Sequence, residues 1–416
     1  MRIAFAILSV LVFIFLVSNI TCNNPKYEIV DLGTIGNRSS YATGINEMDQ
    51  VIGTLETVDG DVTEHAFFWD SANGMIELNT PDGVESRACA INNAGQVVGY
   101  IFMPAYDSHS FFWDRTNGII DLGTFGGKRG GATAINDAGQ VVGWAETASN
   151  DRHGFLWDIT SGMTDLCTFG EKFSSAESIN NAGQVVGFSR DTNEVEHIFL
   201  WDRANGMIDL GTSGKFSESI VINDTGQVII GWAENDDHLW RAIFWDHATG
   251  MTELGTFKRH ESYICDVNTV SYANAINNAG QVVGYAEKRV ILGVRKRAFI
   301  WDSINGMVNL GTISFFKGGP ILGNESVAVD INDSGQVIGY TGSILNEVFG
   351  FGRAWLWDKN YGMIKLDDLL PPNSGWRHLI YASAINNRGQ IVGGGITVKK
   401  EFHAFLMTPV LQSACK

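Results

Sequence analysis

Three stretches of the sequence set aromatic side chains beside basic ones, and these residue types are suited to binding. They are Arg259, His260 and Tyr263 in the first stretch, Phe316 and Lys317 in the second, and Trp376, Arg377 and His378 in the third. Aromatic rings stack on sugars and apolar surfaces, and Arg or Lys holds anionic groups. The sequence therefore predicts that these eight residues form a binding surface. The alternative is that the aromatic side chains only fix long loops to the scaffold.

A second set of residues has metal-binding chemistry and recurs along the chain. One repeated position is occupied by His65, His109, His153, His197 and His403 and, in other copies, by Arg241, Arg297 and Arg353. Arginine is not a usual metal ligand, so the three arginines argue against a ring of metal ligands. We predict that these side chains are structural and bond the backbone between neighbouring repeats. We also predict no metal site and no cofactor.

The sequence carries none of the common catalytic signatures. It has no H-E-x-x-H, no G-x-S-x-G, no phosphate loop and no dinucleotide fingerprint. Repeated asparagines such as Asn136 open turns, and they lack the closely spaced acidic residues that a calcium loop needs. Catalytic carboxylates can nevertheless meet in a fold without any local motif. An enzyme therefore stays open as an alternative.

All of these residues belong to a unit that the chain repeats eight times. Its Ile-Asn start falls at Ile45, Ile91, Ile135, Ile179, Ile222, Ile276, Ile331 and Ile385. The spacings of 46, 44, 44, 43, 54, 55 and 54 residues indicate one repeated supersecondary unit. Because the repeat covers most of the 416 residues, we predict one domain where length alone would suggest two or three.

The third copy shows why each repeat is interpreted as four strands. Ala132–Asn136 and Gln140–Trp144 flank an Asn-Asp-Ala-Gly turn, whose residue types favour a hairpin. His153–Trp157 and Met163–Leu166 flank a second turn. The run from Phe155 to Trp157 is continuously apolar, which is typical of strands buried on both faces. Each four-stranded sheet is therefore expected to lie between two neighbours, as propeller blades do.

The two ends of the chain complement each other. Tyr27–Thr34 matches the fourth strand alone, whereas the last repeat stops after His403–Met407 and lacks that strand. An open solenoid would instead need distinct capping repeats. We predict an all-β fold, a closed β-propeller of eight four-stranded blades, in which the N-terminal strand closes the ring with the C-terminal strand. A different blade count and a β-solenoid are the alternatives, and the point where one blade ends and the next begins stays open.

Alternating strands place the two tight turns of each repeat at one end and the variable connections at the other. An early connection, from Thr124 to Ile135, spans 11 residues. Three late ones span 17 to 20 residues, from Thr256 to Ile276, from Thr312 to Ile331 and from Asp368 to Ile385. Loops on a rigid scaffold often carry function. Since these three are consecutive and contain the eight residues named first, we predict the binding surface on blades five to eight.

Composition and charge exclude several classes of protein. A net charge of −17 repels a phosphate backbone, so nucleic acid is not an expected partner. The N-terminus has a basic start, an apolar run over Ile3–Val17 and a polar end, the pattern of a secretory signal. The run is shorter than the ~20 residues of a membrane span. We predict a signal peptide at 1–24, a single propeller domain at 25–416 without a membrane span, and a secreted, periplasmic or cell-surface location.

The cysteines give no zinc or redox motif. The chain has Cys22, Cys89, Cys167, Cys265 and Cys415, and no C-x-x-C pair. The three that lie inside repeats are expected to be buried free thiols. Lipidation of Cys22 and a disulfide between Cys22 and Cys415 both stay open.

One family shares these motifs. The triplets His65-Ala66-Phe67 and His403-Ala404-Phe405, with the Ile-Asn-x-x-Gly-Gln-Val-Val-Gly hairpins, resemble the HAF-type bacterial extracellular repeat proteins. The resemblance covers about residues 27–409 and implies export from a bacterium and a β-rich repeat fold. The family has no assigned activity, so it implies no site residue. The chain departs from the motif at Arg241, Arg297, Arg353 and Met407, all in the late repeats.

These observations predict a monomeric, secreted or cell-surface propeller that binds a glycan, a peptide or a protein partner without catalysis. An extracellular enzyme acting on a polysaccharide, built on the same scaffold, is one alternative. A structural surface protein without a specific ligand is the other.

Overall fold

The computed structural model describes residues 25–57, 63–80, 83–103, 107–170, 172–212, 217–234, 239–257, 270–290, 293–313, 325–342 and 352–410. Within these ranges the protein is all-β, with thirty-two strands, a 3₁₀ turn at Leu366–Leu369 and no α-helix. This part of the chain contains no helix of the length and apolarity that crossing a membrane requires. Residues 1–24, where a signal peptide is predicted, lie outside the described ranges.

Each repeat supplies strands of four kinds. The first strands lead into the Asn-x-x-Gly turns and are β2 (Arg38–Ile45), β6 (Ser86–Ile91), β10 (Gly126–Ile135), β14 (Ser174–Ile179), β18 (Ser217–Ile222), β22 (Ser271–Ile276), β26 (Glu325–Ile331) and β30 (Trp376–Ile385). The second strands return from those turns and are β3 (Val51–Thr57), β7 (Val97–Met103), β11 (Val141–Thr147), β15 (Val185–Arg190), β19 (Val228–Glu234), β23 (Val282–Val290), β27 (Val337–Gly342) and β31 (Ile391–Thr397).

The other two kinds form the outer hairpin of each repeat. The third strands contain the His-Ala-Phe position and are β4 (Glu64–Asp70), β8 (Asp107–Asp114), β12 (Arg152–Asp158), β16 (Glu196–Asp202), β20 (Trp240–Asp246), β24 (Gly293–Asp302), β28 (Arg353–Asp358) and β32 (Phe402–Pro409). The fourth strands are β5 (Gly74–Glu77), β9 (Gly118–Gly123), β13 (Gly162–Asp165), β17 (Gly206–Thr212), β21 (Gly250–Glu253), β25 (Gly306–Gly311), β29 (Gly362–Lys365) and β1 (Tyr27–Gly33).

Hydrogen bonding groups the described strands into six four-stranded antiparallel sheets and one eight-stranded sheet. The larger sheet consists of β6–β9 and β10–β13, which a single parallel bridge between Ser108 and Arg129 joins. We number the four-stranded units 1 to 8 in chain order, from β2–β5 to β30–β32. In unit 8 the fourth position is taken by β1, which pairs antiparallel with β32 so that Val30 lies opposite Leu406.

The core lies between the units. In unit 2, Val97 packs in a cluster with Phe68 of unit 1, whereas the next residue, Val98, packs with Phe155 of unit 3. Successive apolar side chains thus bury opposite faces of one sheet, as the continuous apolar runs predict. Another cluster joins unit 8 to unit 1, through Leu406 and Phe67 among others. Each described unit therefore has apolar neighbours on both sides.

The Trp-Asp pairs are structural, as predicted. The ring of Trp157 packs against Phe112 of the preceding unit with 5.3 Å between centroids. The following aspartate caps the next turn: in unit 4 the backbone N–H groups of Ala204 and Asn205 donate to Asp202 Oδ1, each at 2.8 Å. Hydrogen bonds from Asn205 hold the pKa of Asp202 below its usual value.

The glycine of the Val-Val-Gly motif is required by a close approach between the first two strands. A Cβ added at Gly143 would lie 2.1 Å from the carbonyl oxygen of Gly131, which no side chain tolerates. The register of β10 against β11 shifts at this level, between Ala132 and Ala134. The first strand is therefore irregular near the middle of the unit, and the repeated glycine accommodates it.

The third repeat agrees with its predicted strands to within one residue, except that β10 starts at Gly126 and not at Ala132, and β11 ends at Thr147 and not at Trp144. The cysteine prediction was wrong where it can be compared. Cys89 and Cys167 are free but exposed rather than buried. Cys22, Cys265 and Cys415 lie outside the described residues.

Candidate functional site

The units present two different ends. The turn face is the end that carries the Asn-x-x-Gly and Asp-x-x-x-Gly turns, such as 136–139 and 158–162. The loop face is the opposite end, where first strands begin and second strands end. An open cavity of about 350 Å³ lies on the turn face and is lined by the Ile-Asn-x segment of all eight repeats.

The repeated asparagines of these turns, which we call the asparagine ring, connect each unit to the next. The ring comprises Asn46, Asn92, Asn136, Asn180, Asn223, Asn277, Asn332 and Asn386. In each turn the Oδ1 atom accepts backbone N–H groups, as Asn180 does from Ala182 and Gln184. The Nδ2 atom donates to the carbonyl of the next ring member: Asn180 to Asn223 at 3.1 Å, and Asn386 to Asn46 at 3.1 Å. The predicted turn role is confirmed, and a contact between units is added to it.

The residue after each ring asparagine alternates between an acid and an amide. In order the eight residues are Glu47, Asn93, Asp137, Asn181, Asp224, Asn278, Asp333 and Asn387. They bond to one another: the Asn93 backbone N–H donates to Asp137 Oδ1 at 2.9 Å and its side chain to Asp137 Oδ2 at 3.0 Å. Asn387 likewise donates to Glu47 at 2.8 Å. Because these side chains hydrogen-bond to one another across the unit boundaries, they hold neighbouring units together at the turn face.

The loop face holds three of the eight residues of the predicted binding surface. Arg259, His260, Tyr263, Phe316 and Lys317 lie outside the described residues. The other three begin β30, where Arg377 is exposed and Trp376 is 8% exposed. The Trp376 ring packs edge-on against Phe405 with 5.9 Å between centroids. In this structure, therefore, Trp376 contributes to the core and does not present its ring.

The third of these residues, His378, takes part in a local charge cluster. Its Nδ1 atom lies 3.2 Å from Asp367 Oδ2, and Arg353 Nε lies 3.3 Å from the same oxygen. The backbone N–H of Leu379 donates to the other oxygen of Asp367 at 2.7 Å. Asp367 thus ties the start of β30 to the third strand of the preceding unit.

The histidines of the His-Ala-Phe position also lie toward the loop face. The Nδ1 atom of His109 lies 2.8 Å from Asp121, that of His153 2.8 Å from Asp165, and that of His197 2.9 Å from Asp209. Each partner stands on the fourth strand of the same unit. The role is structural as predicted, but the partner is a carboxylate within the unit and not backbone between units. The described residues contain no group of three or more His, Cys, Asp or Glu side chains arranged to hold a metal ion.

Half-buried aromatic residues recur on the loop-face side of the units, and we call them the aromatic belt. Six follow the glycine of the second strand: Tyr100, Trp144, Phe188, Trp232, Tyr285 and Tyr340. Six more complete the set: Tyr41, Phe173, Trp240, Tyr272, Tyr381 and Phe402. Nine of the twelve rings pack against another ring of the belt, in groups of four, three and two, so these groups form continuous aromatic surfaces.

The longest continuous surface spans units 5 and 6. The rings of Trp240 and Trp232 lie 4.5 Å apart, and Trp232 lies 5.9 Å from Tyr272 of the next unit. Tyr272 stacks on Tyr285 at 5.4 Å with an interplanar angle of 7°. The Lys296 ammonium lies over Tyr285, 4.6 Å from the ring centroid. Two sheets thus share one aromatic surface that ends in a cation.

Units 8 and 1 build their part of the belt differently. Here the position after the glycine is Gly394 or Thr54, and tyrosines of the first strands take over. Phe402 stacks on Tyr41 at 4.7 Å and on Tyr381 at 6.3 Å. A Cβ at Gly394 would lie 2.7 Å from both Phe402 and Tyr381, so the glycine makes room for this stack.

Several buried polar atoms on the loop-face side lack a partner within the described part of the chain. They are Ser110 Oγ, Arg152 Nε, His153 Nε2, Trp232 Nε1 and Thr312 Oγ1. Buried polar groups are normally hydrogen-bonded, and exceptions need a reason. Trp232 and Arg152 are both involved in stacking within the belt. The loop face therefore holds polar groups that have no partner among the described residues.

The belt was missed in the sequence, although its signal was present. The aromatic residue after Val-Val-Gly is part of the repeated unit, as in Tyr100 and Trp144. Buried core positions of a repeat also carry aromatic residues at regular intervals. The sequence pattern alone therefore does not distinguish a core ring from a half-buried surface ring. Only the structure shows that these rings remain half-buried and meet between units.

Comparisons with known proteins concern the fold. Residues 209–403 match the model of a family described as a protein of unknown function (DUF3466). No curated protein matches the chain.

Three solved structures illustrate the similarity. A structure from a study of two prolyl endopeptidases has a TM-score of 0.54 and 9% identity, with 91% of this chain and 55% of that chain covered. A puromycin hydrolase S511A mutant complexed with PGG has a TM-score of 0.50 and 14% identity, with 88% and 59% covered. The β-propeller domain of the Trilobed protease from Pyrococcus furiosus has a TM-score of 0.49 and 11% identity, with 79% and 98% covered.

The chain spans little more than half the length of the first two of these proteins. At these sequence identities the similarity concerns the fold alone. Within the described residues the chain is all-β and consists of repeated four-stranded antiparallel units.

Proposed function

We propose that the chain forms a closed propeller of eight blades, in which β1 completes the last blade. The pairing of β1 with β32 supports this, as do two hydrogen bonds from unit 8 to unit 1. Asn386 Nδ2 donates to the Asn46 carbonyl at 3.1 Å, and Ser383 Oγ donates to the Ala42 carbonyl at 2.8 Å. The apolar cluster shared by units 8 and 1 adds to the same boundary.

We further propose that residues 1–24 direct export and that the mature protein is a monomeric single domain from about Pro25. The apolar run after Arg2 and the resemblance to HAF-type bacterial extracellular repeat proteins support a secreted or cell-surface location. N-terminal sequencing of protein recovered from the culture medium or the cell surface tests this. Protein that stays in the cytoplasm with Met1 intact would contradict it.

We propose that the function is non-enzymatic binding on the loop face, with a glycan as the favoured ligand. The observation that carries this proposal is the aromatic surface of Trp240, Trp232, Tyr272 and Tyr285, with Lys296 at its end. Stacked aromatic rings offer broad, rigid apolar faces at low entropic cost, which suits the apolar faces of sugar rings. The indole N–H of Trp232 has no acceptor among the described residues. Peptide and protein ligands are the other outcomes of the test.

The location also fits the sequence prediction of a site on blades five to eight. Unit 6 is preceded by the long connection that contains Arg259, His260 and Tyr263, which remain predicted contributors together with Phe316 and Lys317. Arg377 and His378 lie on the loop face in unit 8. Since Trp376 is part of the core, changing it would test folding rather than binding.

A binding screen against glycans and surface polymers tests the proposal directly. We expect the wild-type protein to retain a polysaccharide that the double variant Trp232→Ala and Trp240→Ala retains at least about tenfold less, because each stacking platform contributes ~1 kcal/mol or more. Trp232→Phe keeps the stack and removes the indole N–H, so it separates the two contributions. Tyr361→Ala, an exposed aromatic of the turn face, is the matched control and should bind normally.

The outcomes separate the alternatives. Unchanged binding by the double variant, with melting unchanged, would place the site elsewhere. If the wild type retains no glycan but captures a defined protein, the proposal of a glycan ligand is wrong. The same loop-face variants then test whether that protein binds on the loop face. Retention of none of these ligands would favour a protein partner or the structural alternative.

One observation favours the enzyme alternative enough to test it. Burial raises the pKa of Glu177 on the loop-face side of unit 4, and a carboxyl group that keeps its proton is a candidate general acid. Turnover of a bound polysaccharide that Glu177→Gln abolishes while binding persists would establish an enzyme. Binding without turnover in both proteins would support the binding module.

A further inference from the structure

Arg152 is held rigidly at the boundary between units 3 and 4. Its guanidinium lies over Trp144 of unit 3, 4.1 Å from the ring centroid, and over Phe173 at 5.3 Å. The Nη2 atom donates to Ser175 Oγ at 2.8 Å. Two aromatic rings and one hydroxyl therefore fix the plane of this side chain on the loop-face side of the molecule.

Unlike its neighbours, Arg152 has no counter-ion among the residues that the structure describes. Arg129 pairs with Glu146 at 2.8 Å, and Arg190 lies 3.8 Å from Glu196. Within the described ranges no carboxylate lies within 4 Å of the Arg152 guanidinium, and its Nε atom is buried without any hydrogen-bond partner. The Arg152 guanidinium has lost part of its hydration on folding, and no adjacent carboxylate of the described residues compensates for that loss.

The surroundings of this cation contain charges of both signs. Burial lowers the pKa of Arg152 to about 10, and the positive charge of Arg190 acts in the same direction, whereas the negative charges of Glu177 and Glu146 act against it. Glu177 accepts a hydrogen bond from Ser175 Oγ at 2.6 Å and forms no ion pair with Arg152 within 4 Å. Burial raises the pKa of Glu177, while the Ser175 hydrogen bond and the charge of Arg152 act to lower it.

We propose that Arg152 forms a subsite for the anionic group of an acidic saccharide, with its guanidinium as the cation that pairs with that group. This inference rests on the proposed glycan-binding function and names the class of sugar. Arginine binds carboxylate or sulfate through a planar fork, and charge-assisted hydrogen bonds are the strong ones. Arg190 lies 4.5 Å from the Phe173 centroid and supplies a second cation at the same ring.

The whole-molecule charge restricts the kind of acidic ligand. At −17 the protein repels polyanions of high charge density. The subsite therefore suits saccharides with isolated charges, such as uronates, better than nucleic acids. The belt extends from here through Phe188, which stacks on Phe173 at 5.7 Å, so apolar sugar faces meet aromatic rings beside the charge.

Calorimetric titration of the full mature chain tests the inference with matched ligands. The probes are an oligosaccharide with a single uronate residue and the same oligosaccharide with that carboxyl group reduced to a neutral alcohol. A dextran oligosaccharide with one sulfate ester and the plain dextran oligosaccharide distinguish sulfate from carboxylate recognition. We expect the wild type to prefer the acidic member of one pair by about tenfold or more, the contribution of one charge-assisted bond.

Two variants and one control make the test specific. Arg152→Gln should remove the preference for the acidic probe, while Arg152→Lys keeps the charge, loses the fork and should restore part of it. Arg115→Gln is the control, because Arg115 also lies over an aromatic ring, Phe68 at 5.1 Å, but on the turn face and paired with Asp70. It should keep the full preference.

The results distinguish this inference from the function beneath it. Equal binding of acidic and neutral probes by the wild type, or a preference that survives in a folded Arg152→Gln protein, overturns the acidic subsite and leaves glycan binding intact. A wild type that binds none of the saccharides overturns both. A sulfate preference that is lost in Arg152→Gln supports the subsite with sulfate as its group.

Discussion

On the turn face, the side chains of the Asn-x-x-Gly turns donate hydrogen bonds to the next unit, so their buried polar groups have partners. On the loop face, buried donors such as Arg152 Nε and Trp232 Nε1 have no partner in the described structure. The two faces belong to the same strands. They differ in repetition, because the turn sequence is nearly identical in all eight copies while the loop-face residues vary from Tyr to Trp to Gly.

This difference shows how a repeat protein separates stability from recognition. Identical residues at equivalent positions can satisfy each other across every boundary, since each unit meets the same surface on its neighbour. Recognition needs residues that break the repeat, and these cluster where strands lead into loops. Substitutions on the turn face should therefore lower the free energy of unfolding without changing ligand binding. Substitutions on the loop face should weaken ligand binding with little effect on the free energy of unfolding.

The largest expected effect comes from breaking the asparagine ring. Asn180→Ala removes the bonds to Asn223 and Gln184 and leaves buried groups without partners. We expect a loss of about 2–4 kcal/mol in the free energy of unfolding, from several hydrogen bonds of ~1 kcal/mol with desolvated partners. Urea denaturation measures it.

The matched change on the other face is Trp144→Ala, in the half-buried belt. It should cost clearly less stability than Asn180→Ala despite the larger side chain. Equal or larger destabilisation by Trp144→Ala would mean that the belt is core and that the contrast between the faces is wrong.

Much of the fold could be predicted from the sequence because the repeat multiplies each weak signal. A single Asn-Asp-Ala-Gly turn is weak evidence, but eight related turns spaced 43 to 55 residues apart are compatible with few architectures. The turn cap formed by Asp202 was predictable because it depends on local backbone geometry. The packing of Trp157 between units was predictable because it depends on burial of a large apolar side chain.

The site could be predicted only in part, since contacts between units have no local signature. Trp376 beside Arg377 matched a binding pattern, yet one ring is in the core and the other side chain is exposed. Whether an aromatic residue is buried depends on what the neighbouring unit places against it. The unpaired state of Arg152 likewise depends on Ser175 and Glu177, which lie in the next repeat.

An intermediate effect is expected at the turn-face boundary between units 7 and 8, where a carboxyl group takes the place of a small residue of the repeat. Asp330 accepts the backbone N–H of Ile385 in unit 8 at 2.9 Å, where the other units have Gly, Ala, Ser or Val. Burial raises its pKa to about 6. A carboxyl group with a raised pKa binds more protons in the folded state, so stability should fall as the pH rises from about 4 through 6. We expect about 2 kcal/mol, below the full value of the shift because Asp330 keeps some contact with solvent.

Asp330→Ser tests this, because Ser178 occupies the equivalent position in unit 4 and accepts the Ile222 N–H at 3.4 Å. Urea denaturation between pH 4.5 and pH 7.5, at ~0.5 pH intervals, should show a flatter profile for the variant than for the wild type. Parallel profiles would mean that Asp330 is equally acidic in the folded and unfolded chain, and the boundary would then be no exception.

The smallest effect is expected at the histidine–carboxylate pairs of the loop face. Asp121, with a side chain 43% exposed, lies 2.8 Å from His109 Nδ1 and also accepts the Gly123 N–H at 2.8 Å. Asp121→Asn removes only the charge, because unit 6 has Asn309 at this position and Asn309 still accepts the Gly311 N–H at 2.8 Å. Exposed ion pairs contribute little, so the loss should be below about 1 kcal/mol and should vanish in ~0.5 M salt. A loss as large as that of Asn180→Ala would show that the loop face also fastens the fold, since a purely local pair cannot account for it.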